Sequence, residues 1–214
     1  MAREPRIGVP GGIYHVGSKG NRGGTIFFDD FERHVFLKLL ALATSRFHWT
    51  CHSYCLMSNH YHLLIRIEVG GLSAGMQLLN GSFAAFSNGR HGWRGQHLFR
   101  NRFWCELIED EQHLLETARY IVLNPVRAGL CDAPEDWPWS SYRACAGLDF
   151  APSFLAVTEH LGLFGGSPAV ARRSYRQFVR DGIGAGRPGV RHRDGAVTAR
   201  RSHESRTETR MRSP

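Results

Sequence analysis

Apolar and polar positions along this chain follow two periods, one near two residues and one near the helical repeat, and the order in which they change outlines a fold. Ile13-Tyr14-His15-Val16 is a short β-prone run ending at Gly17, and Gly20-Asn21-Arg22-Gly23-Gly24 reads as its flexible basic exit loop. Asp29 followed by Glu32 resembles a capping box, after which Phe31, Val35, Phe36, Leu39 and Leu42 recur at helical spacing to about Thr44. Residues 49–57 form a second β-prone run, Ser58-Asn59 supplies a turn, and residues 60–68 form a third. In that third strand Tyr61, Leu63, Ile65 and Ile67 share one face, and His60, His62, Leu64, Arg66 and Glu68 share the other. The apolar face belongs against helices, and the opposite face is expected to be free for chemistry at its histidine end.

Gly70-Gly71 breaks the pattern, and Leu72, Met76, Leu79, Phe83 and Phe86 then give the stripe of a second amphipathic helix. A polar, aromatic and basic loop over residues 91–102 leads to a fourth strand at about residues 103–108. A third helix is predicted from Glu111 to about Leu123, ended by Asn124-Pro125 because a residue before proline is pushed out of helical geometry. Strand, helix, strand, strand, helix, strand is the order of an α+β fold, a ferredoxin-like αβ sandwich with an antiparallel sheet. Trp137-Pro138-Trp139-Ser140-Ser141-Tyr142 reads as an aromatic clasp on the body, and helical patterning at residues 154–161 and 170–179 adds extra C-terminal helices. The expected organisation is a main domain over residues 1–147, a helical extension over 148–180 and a disordered basic tail over 181–214. From Asp181 onward apolar periodicity is lost, and eight Arg stand against two Asp and two Glu. Such a tail adds nonspecific affinity for phosphates or simply solubilises the terminus.

Composition narrows the function classes. The 214 residues are 42% hydrophobic with no apolar run of membrane-spanning length, which predicts a soluble globular protein, and Met1-Ala2-Arg3-Glu4-Pro5 lacks the form of a signal peptide. A net charge of +8 favours a polyanionic partner, with nucleic acid ahead of a membrane surface. Cys51, Cys55, Cys105, Cys131 and Cys145 are odd in number without framework spacing, so they read as reduced thiols in a cytoplasm. Cys51 and Cys55 lie near His48, His52, His60 and His62, but no paired C-x-x-C motif marks a structural zinc.

The chemistry-bearing residues are His60 and His62, whose imidazoles on one side of a strand can hold a divalent cation while leaving positions open. The competing reading makes both hydrogen-bonded scaffold histidines. Tyr120 and Asn124, four apart on a helix, can address one site together, and a tyrosine is a nucleophile candidate where a nearby metal helps its proton leave. Spacing alone leaves that reading even with Tyr120 as a core aromatic and Asn124 as a helix-end cap.

These segments resemble the single-tyrosine HUH transposases, most closely their REP-associated branch. The resemblance rests on Ile13-Tyr14-His15-Val16 with Gly20-Asn21-Arg22, on Cys55-Leu56-Met57-Ser58-Asn59-His60-Tyr61-His62-Leu63-Leu64-Ile65, on Arg119-Tyr120-Ile121-Val122-Leu123-Asn124-Pro125-Val126-Arg127-Ala128-Gly129-Leu130, and on the clasp at residues 137–142. Ser58 stands where the family usually has proline, Gly23-Gly24 sits in a stretch usually more charged, and Asn101 replaces a usual glycine. The resemblance implies that His60 and His62 are metal ligands, Asn124 the third protein ligand and Tyr120 the nucleophile, with Mg²⁺ or Mn²⁺ as cofactor. It implies nicking and joining of single-stranded DNA through a 5′-phosphotyrosine, at palindromic hairpins repeated in a bacterial chromosome, by a cytoplasmic, nucleoid-associated enzyme. The branch resembles monomeric enzymes, while dimers occur in the wider family. Trp93, Phe99, Arg94, Arg100 and Arg102 are candidates to stack on and hold unpaired DNA, with Arg22 beside them, while the competing reading is a solvated loop with buried aromatics. Arg127 would contact phosphate or neutralise the end of the third helix.

The readings from other classes are a catalytically inactive DNA- or RNA-binding protein of the same fold, or another HUH enzyme such as a replication initiator or relaxase. An RNA-recognition module would require stacking aromatics on the sheet face, where this chain has histidines.

Overall fold

Strands β1 (Ile13–Lys19), β2 (Trp49–Leu56), β3 (His60–Ile67) and β4 (Trp104–Leu107) pair antiparallel in the order β2-β3-β1-β4 in the computed structural model, which describes residues 8–184. Helices α1 (Asp30–Phe47) and α2 (Leu72–Arg90) are the two crossovers of the ferredoxin-like order. They cover the face carrying Tyr61, Leu63, Ile65 and Ile67. Phe36, Leu40, Met76, Leu79 and Phe83 close this core, and the Phe36 and Tyr61 rings lie 4.6 Å apart.

The start of α1 is a capping box in modified form. The Asp29 carboxylate accepts from the Glu32 N–H at 2.9 Å, and the Glu32 carboxylate reaches past Asp29 to accept from the Phe28 N–H at 2.8 Å. Glu32 is fully buried and also bonds the His91 ring at 2.8 Å, so the inward line of α1 is Glu32, Phe36, Leu40 and Ala43. Phe31 and Leu42, which spacing assigns to the core stripe, are 58% and 51% exposed. The polar partners of one buried carboxylate set the rotation of the helix.

A bulge at His52 in β2 resets the alternation of that strand. Trp49 and Cys51 before it, and Tyr54 and Leu56 after it, all reach the same core, while Cys55 turns to the opposite face. The outer edge of β2 is covered by the predicted clasp. Leu56 N–H donates to the Trp139 carbonyl, Ser141 N–H to the Tyr54 carbonyl, and Trp137 Nε1 to the Leu56 carbonyl.

The remaining helices are α3 (Glu111–Val122), α4 (Asn124–Arg127), α5 (Tyr142–Ala146), α6 (Val157–Gly162) and α7 (Pro168–Asp181). The C-terminal segment packs on the body through pairs such as Tyr142 with Tyr175, 5.8 Å between rings. Asp181 ends α7, and residues 185–214 of the expected tail lie outside the described residues. No disulfide joins the five cysteines, and among the described residues no helix is long and apolar enough to cross a membrane.

Candidate active site

Strand register arranges the second face of the sheet in rows. His62 on β3 pairs with Gly17 on β1, which pairs with Trp104 on β4. One row away His60 pairs with Lys19, and on the other side Leu64, His15 and Glu106 line up across the same three strands. Directly paired residues share a face, so His15, Trp104 and the two predicted histidines stand together. Gly17 makes room for this. A Cβ there would lie 2.6 Å from Trp104 Cζ2, so the missing side chain is what lets the indole lie across the row.

This face is not open along the strand, as the alternation of β3 suggests. Helix α3 lies over β2 and β3, with Leu114, Ala118 and Ile121 packed on Cys55, Met57 and Leu64. Asp110 caps it by accepting from the His113 N–H at 2.7 Å. The apolar residues of that face hold the helix down, and one consequence is the placement of Tyr120. Its ring centroid is 5.6 Å from that of His62 and 6.0 Å from that of His15, at steep interplanar angles, and the residue is 6% exposed. The Arg127 guanidinium lies over the same phenol ring, 5.5 Å from its centroid.

Proline does not expel Asn124 from helical geometry. Helix α3 stops at Val122, and Asn124 opens the short α4, whose turn is closed by the Ala128 N–H donating to the Asn124 carbonyl. The Asn124 Nδ2 donates to the Tyr120 carbonyl oxygen at 3.0 Å. An amide that donates through nitrogen in this way has Oδ1, the atom a hard cation takes, as its acceptor.

The two histidines are each held at Nδ1. His60 Nδ1 lies 2.7 Å from Asn59 Oδ1, and Asn59 Nδ2 in turn donates to the Gly23 carbonyl at 3.1 Å, which fixes the amide orientation. Oδ1 only accepts, so His60 donates from Nδ1, and the neutral ring then has its lone pair on Nε2. His62 Nδ1 lies 3.0 Å from His15 Nε2. Imidazole nitrogen and amide oxygen are donors that Mg²⁺ or Mn²⁺ accepts, so the chemistry of these three side chains is compatible with such a cation.

Among the predicted basic residues, Arg22, Arg100 and Arg102 are exposed near the His60 end. The loop carrying Arg22 is tied down by Gly20 N–H to the Asn59 carbonyl and Asn21 N–H to the Leu98 carbonyl, and Arg100 N–H donates to the Lys19 carbonyl. Arg94 is exposed on the loop after α2, where Trp93 stacks on His91 and meets Phe28. Phe99 packs towards Tyr61 and Phe83 rather than standing out for a base, and Trp93 is also partly packed on the core. Residues that spacing alone did not single out are His15, Gly17, Trp104 and the exposed Lys19. For the three on β1 the signal is the period-two alternation that puts His15, Gly17 and Lys19 on one side.

The family model for the IS200-like transposases matches residues 13–124, a span from β1 through Asn124 that includes His60, His62 and Tyr120. The chain belongs to that family. A Haemophilus influenzae protein assigned by name to the REP-associated tyrosine transposases is 26% identical over 169 residues, covering 71% of this chain and 92% of that protein. A solved structure of a REP-associated tyrosine transposase bound to a REP hairpin shares the fold, with a TM-score of 0.57 and 18% identity over 73% of this chain and 92% of that one. In this transposase the segments beyond residue 124, including the clasp and α5 to α7, therefore lie outside the matched family span while packing on it.

Proposed function

We propose that this transposase nicks and rejoins single-stranded DNA at REP-type hairpins through a covalent 5′-phosphotyrosine on Tyr120. The observation that carries the reading is the convergence of Tyr120 from α3, His62 from β3 and Arg127 from α4, with ring separations of 5.6 Å and a cation 5.5 Å from the phenol ring. The name of the Haemophilus influenzae relative and the hairpin in the structurally similar protein support the substrate class.

His60, His62 and Asn124 would hold Mg²⁺ or Mn²⁺. When bound, the cation polarises the scissile phosphate and neutralises charge that develops in the transition state. The Tyr120 oxygen attacks phosphorus and gives up its proton, while the bond to the 3′ oxygen breaks and that oxygen leaves as a protonated 3′-hydroxyl. The near-complete burial of Tyr120 limits its freedom, so orientation is prepared before DNA arrives. Arg127 adds positive charge beside the reacting centre. In the second step a 3′-hydroxyl attacks the phosphotyrosine, the bond to Tyr120 breaks, and the phenol takes back a proton. The phosphodiester energy stays in the covalent link, so no ATP is used. Lys19, Arg22, Arg100 and Arg102 at the His60 end are proposed to track the DNA backbone, with Arg94 a more distant contact.

The test is denaturing electrophoresis of labelled single strands taken from the gene's flanks, with Mn²⁺, comparing wild type and Tyr120→Phe. A covalent adduct in wild type alone is expected. An adduct that survives in Tyr120→Phe would remove Tyr120 from the nucleophile role.

A further inference from the structure

We propose that His15 is a positioning residue for His62, accepting the His62 Nδ1 proton through its own Nε2 and so fixing the tautomer whose Nε2 lone pair faces the cation. The inference rests on the metal-binding reading given above and adds a residue to it.

Three observations carry it. His15 Nε2 and His62 Nδ1 are 3.0 Å apart, with His15 fully buried and His62 only 4% exposed. Two neutral imidazoles at that distance share one proton along the line between the rings, in one of two arrangements. If His15 donates, His62 is left with its proton on Nε2 and cannot ligate. If His62 donates, its Nε2 carries the lone pair, as in the Asn59 and His60 pair.

The contact is also one that few residue types can make. His15 is paired in register with Leu64, so His62 is its diagonal neighbour, two residues along β3. Diagonal neighbours have Cβ atoms roughly 7 Å apart, a gap that two imidazoles span and a short side chain does not. Trp104 contacts both rings, as Tyr120 does. The Trp104 ring meets the edge of His15 at 4.5 Å and 89° and lies 5.5 Å from His62, in the space that Gly17 leaves.

The experiment uses the full chain as wild type, His15→Phe and His15→Gln, with thermal melts to confirm folding. Two readouts are made: the His62 tautomer from imidazole nitrogen NMR without metal, and Mn²⁺ affinity by calorimetry without DNA. Wild type is expected to show His62 protonated at Nδ1. His15→Phe fills the same space without an acceptor and is expected to lose His62 tautomer purity and to bind Mn²⁺ about 10–100-fold more weakly, the usual effect of removing such a partner. His15→Gln restores an acceptor and is expected to recover most of the affinity. His62 protonated at Nε2 in wild type would overturn the inference without any variant. So would wild-type Mn²⁺ affinity in a folded His15→Phe. Absence of Mn²⁺ binding in wild type, with His62 protonated at Nδ1, would overturn the metal reading on which this role stands, and is distinguished from the other failures by the intact tautomer.

Discussion

The two faces of β3 come from one eight-residue strand and are put to different uses. Tyr61, Leu63, Ile65 and Ile67 face α1 and α2 and are completely buried among aromatic and aliphatic side chains. His60, His62 and Leu64 face α3, where only the middle of the strand is sealed by apolar packing and the His60 end carries hydrogen-bonded imidazoles. The first face supplies stability through apolar area removed from water. The second uses part of its packing to hold Tyr120 against His62, so residues there are expected to matter more for reaction than for folding.

The largest expected departure between the faces is Tyr120→Phe. It removes one hydroxyl, so adduct formation should fall by on the order of 10⁴-fold or more. The urea midpoint should shift by less than about 1 kcal/mol in equivalent stability. On the other face, Phe36→Ala should cost about 3–5 kcal/mol in urea unfolding, and hairpin binding should decline only in step with the folded population. Gly17→Ala tests the boundary between them. Its Cβ would meet the Tyr61 carbonyl oxygen of β3 as well as Trp104, so a loss of about 1–3 kcal/mol is expected together with weaker adduct formation by the protein that remains folded.

A pH titration sharpens the contrast between partnered and unpartnered imidazoles. His160 on α6 is buried with no hydrogen-bond partner at Nδ1, and burial, with His52 nearby, holds its pKa down to about 4 from 6.5. Between those values the unfolded chain takes up a proton that the folded protein does not, so stability should fall as pH drops from 6.5 towards 4. The loss should be on the order of 3 kcal/mol across the window, and His160→Gln should flatten that dependence in chemical denaturation at several pH values. The smallest effect is expected from Arg100→Gln, which should weaken hairpin binding and reduce the slope of log affinity against log salt by about 1, leaving stability unchanged.

The order of elements was legible because alternation in β3 and the stripe of α2 survive almost unchanged into the structure. Leu72, Met76, Leu79 and Phe83 are all buried as their spacing predicts. Phe31 and Leu42 misled because helical spacing fits more than one face of α1, and the buried face is chosen by Glu32 and its partners Phe28 and His91, distant in sequence or hidden in a cap. The bulge at His52 left no periodic signature. Within the candidate site, His60, His62 and Tyr120 were readable as a motif and come together, whereas His15 was visible only as part of a β-prone run. Its role depends on strand register, a diagonal contact between β1 and β3 that no local pattern encodes. Asn124 was expected outside the helix because of Pro125, yet a proline at the start of a helix costs no backbone bond, and α4 begins there.

Peptide mapping by mass spectrometry of the adduct trapped on a flanking single-stranded DNA with Mn²⁺ tests directly whether Tyr120 is the nucleophile. The expected product is a nucleotide joined through its 5′ phosphate to the peptide containing Tyr120. A nucleotide on any other residue, or linkage through a 3′ phosphate, would contradict it.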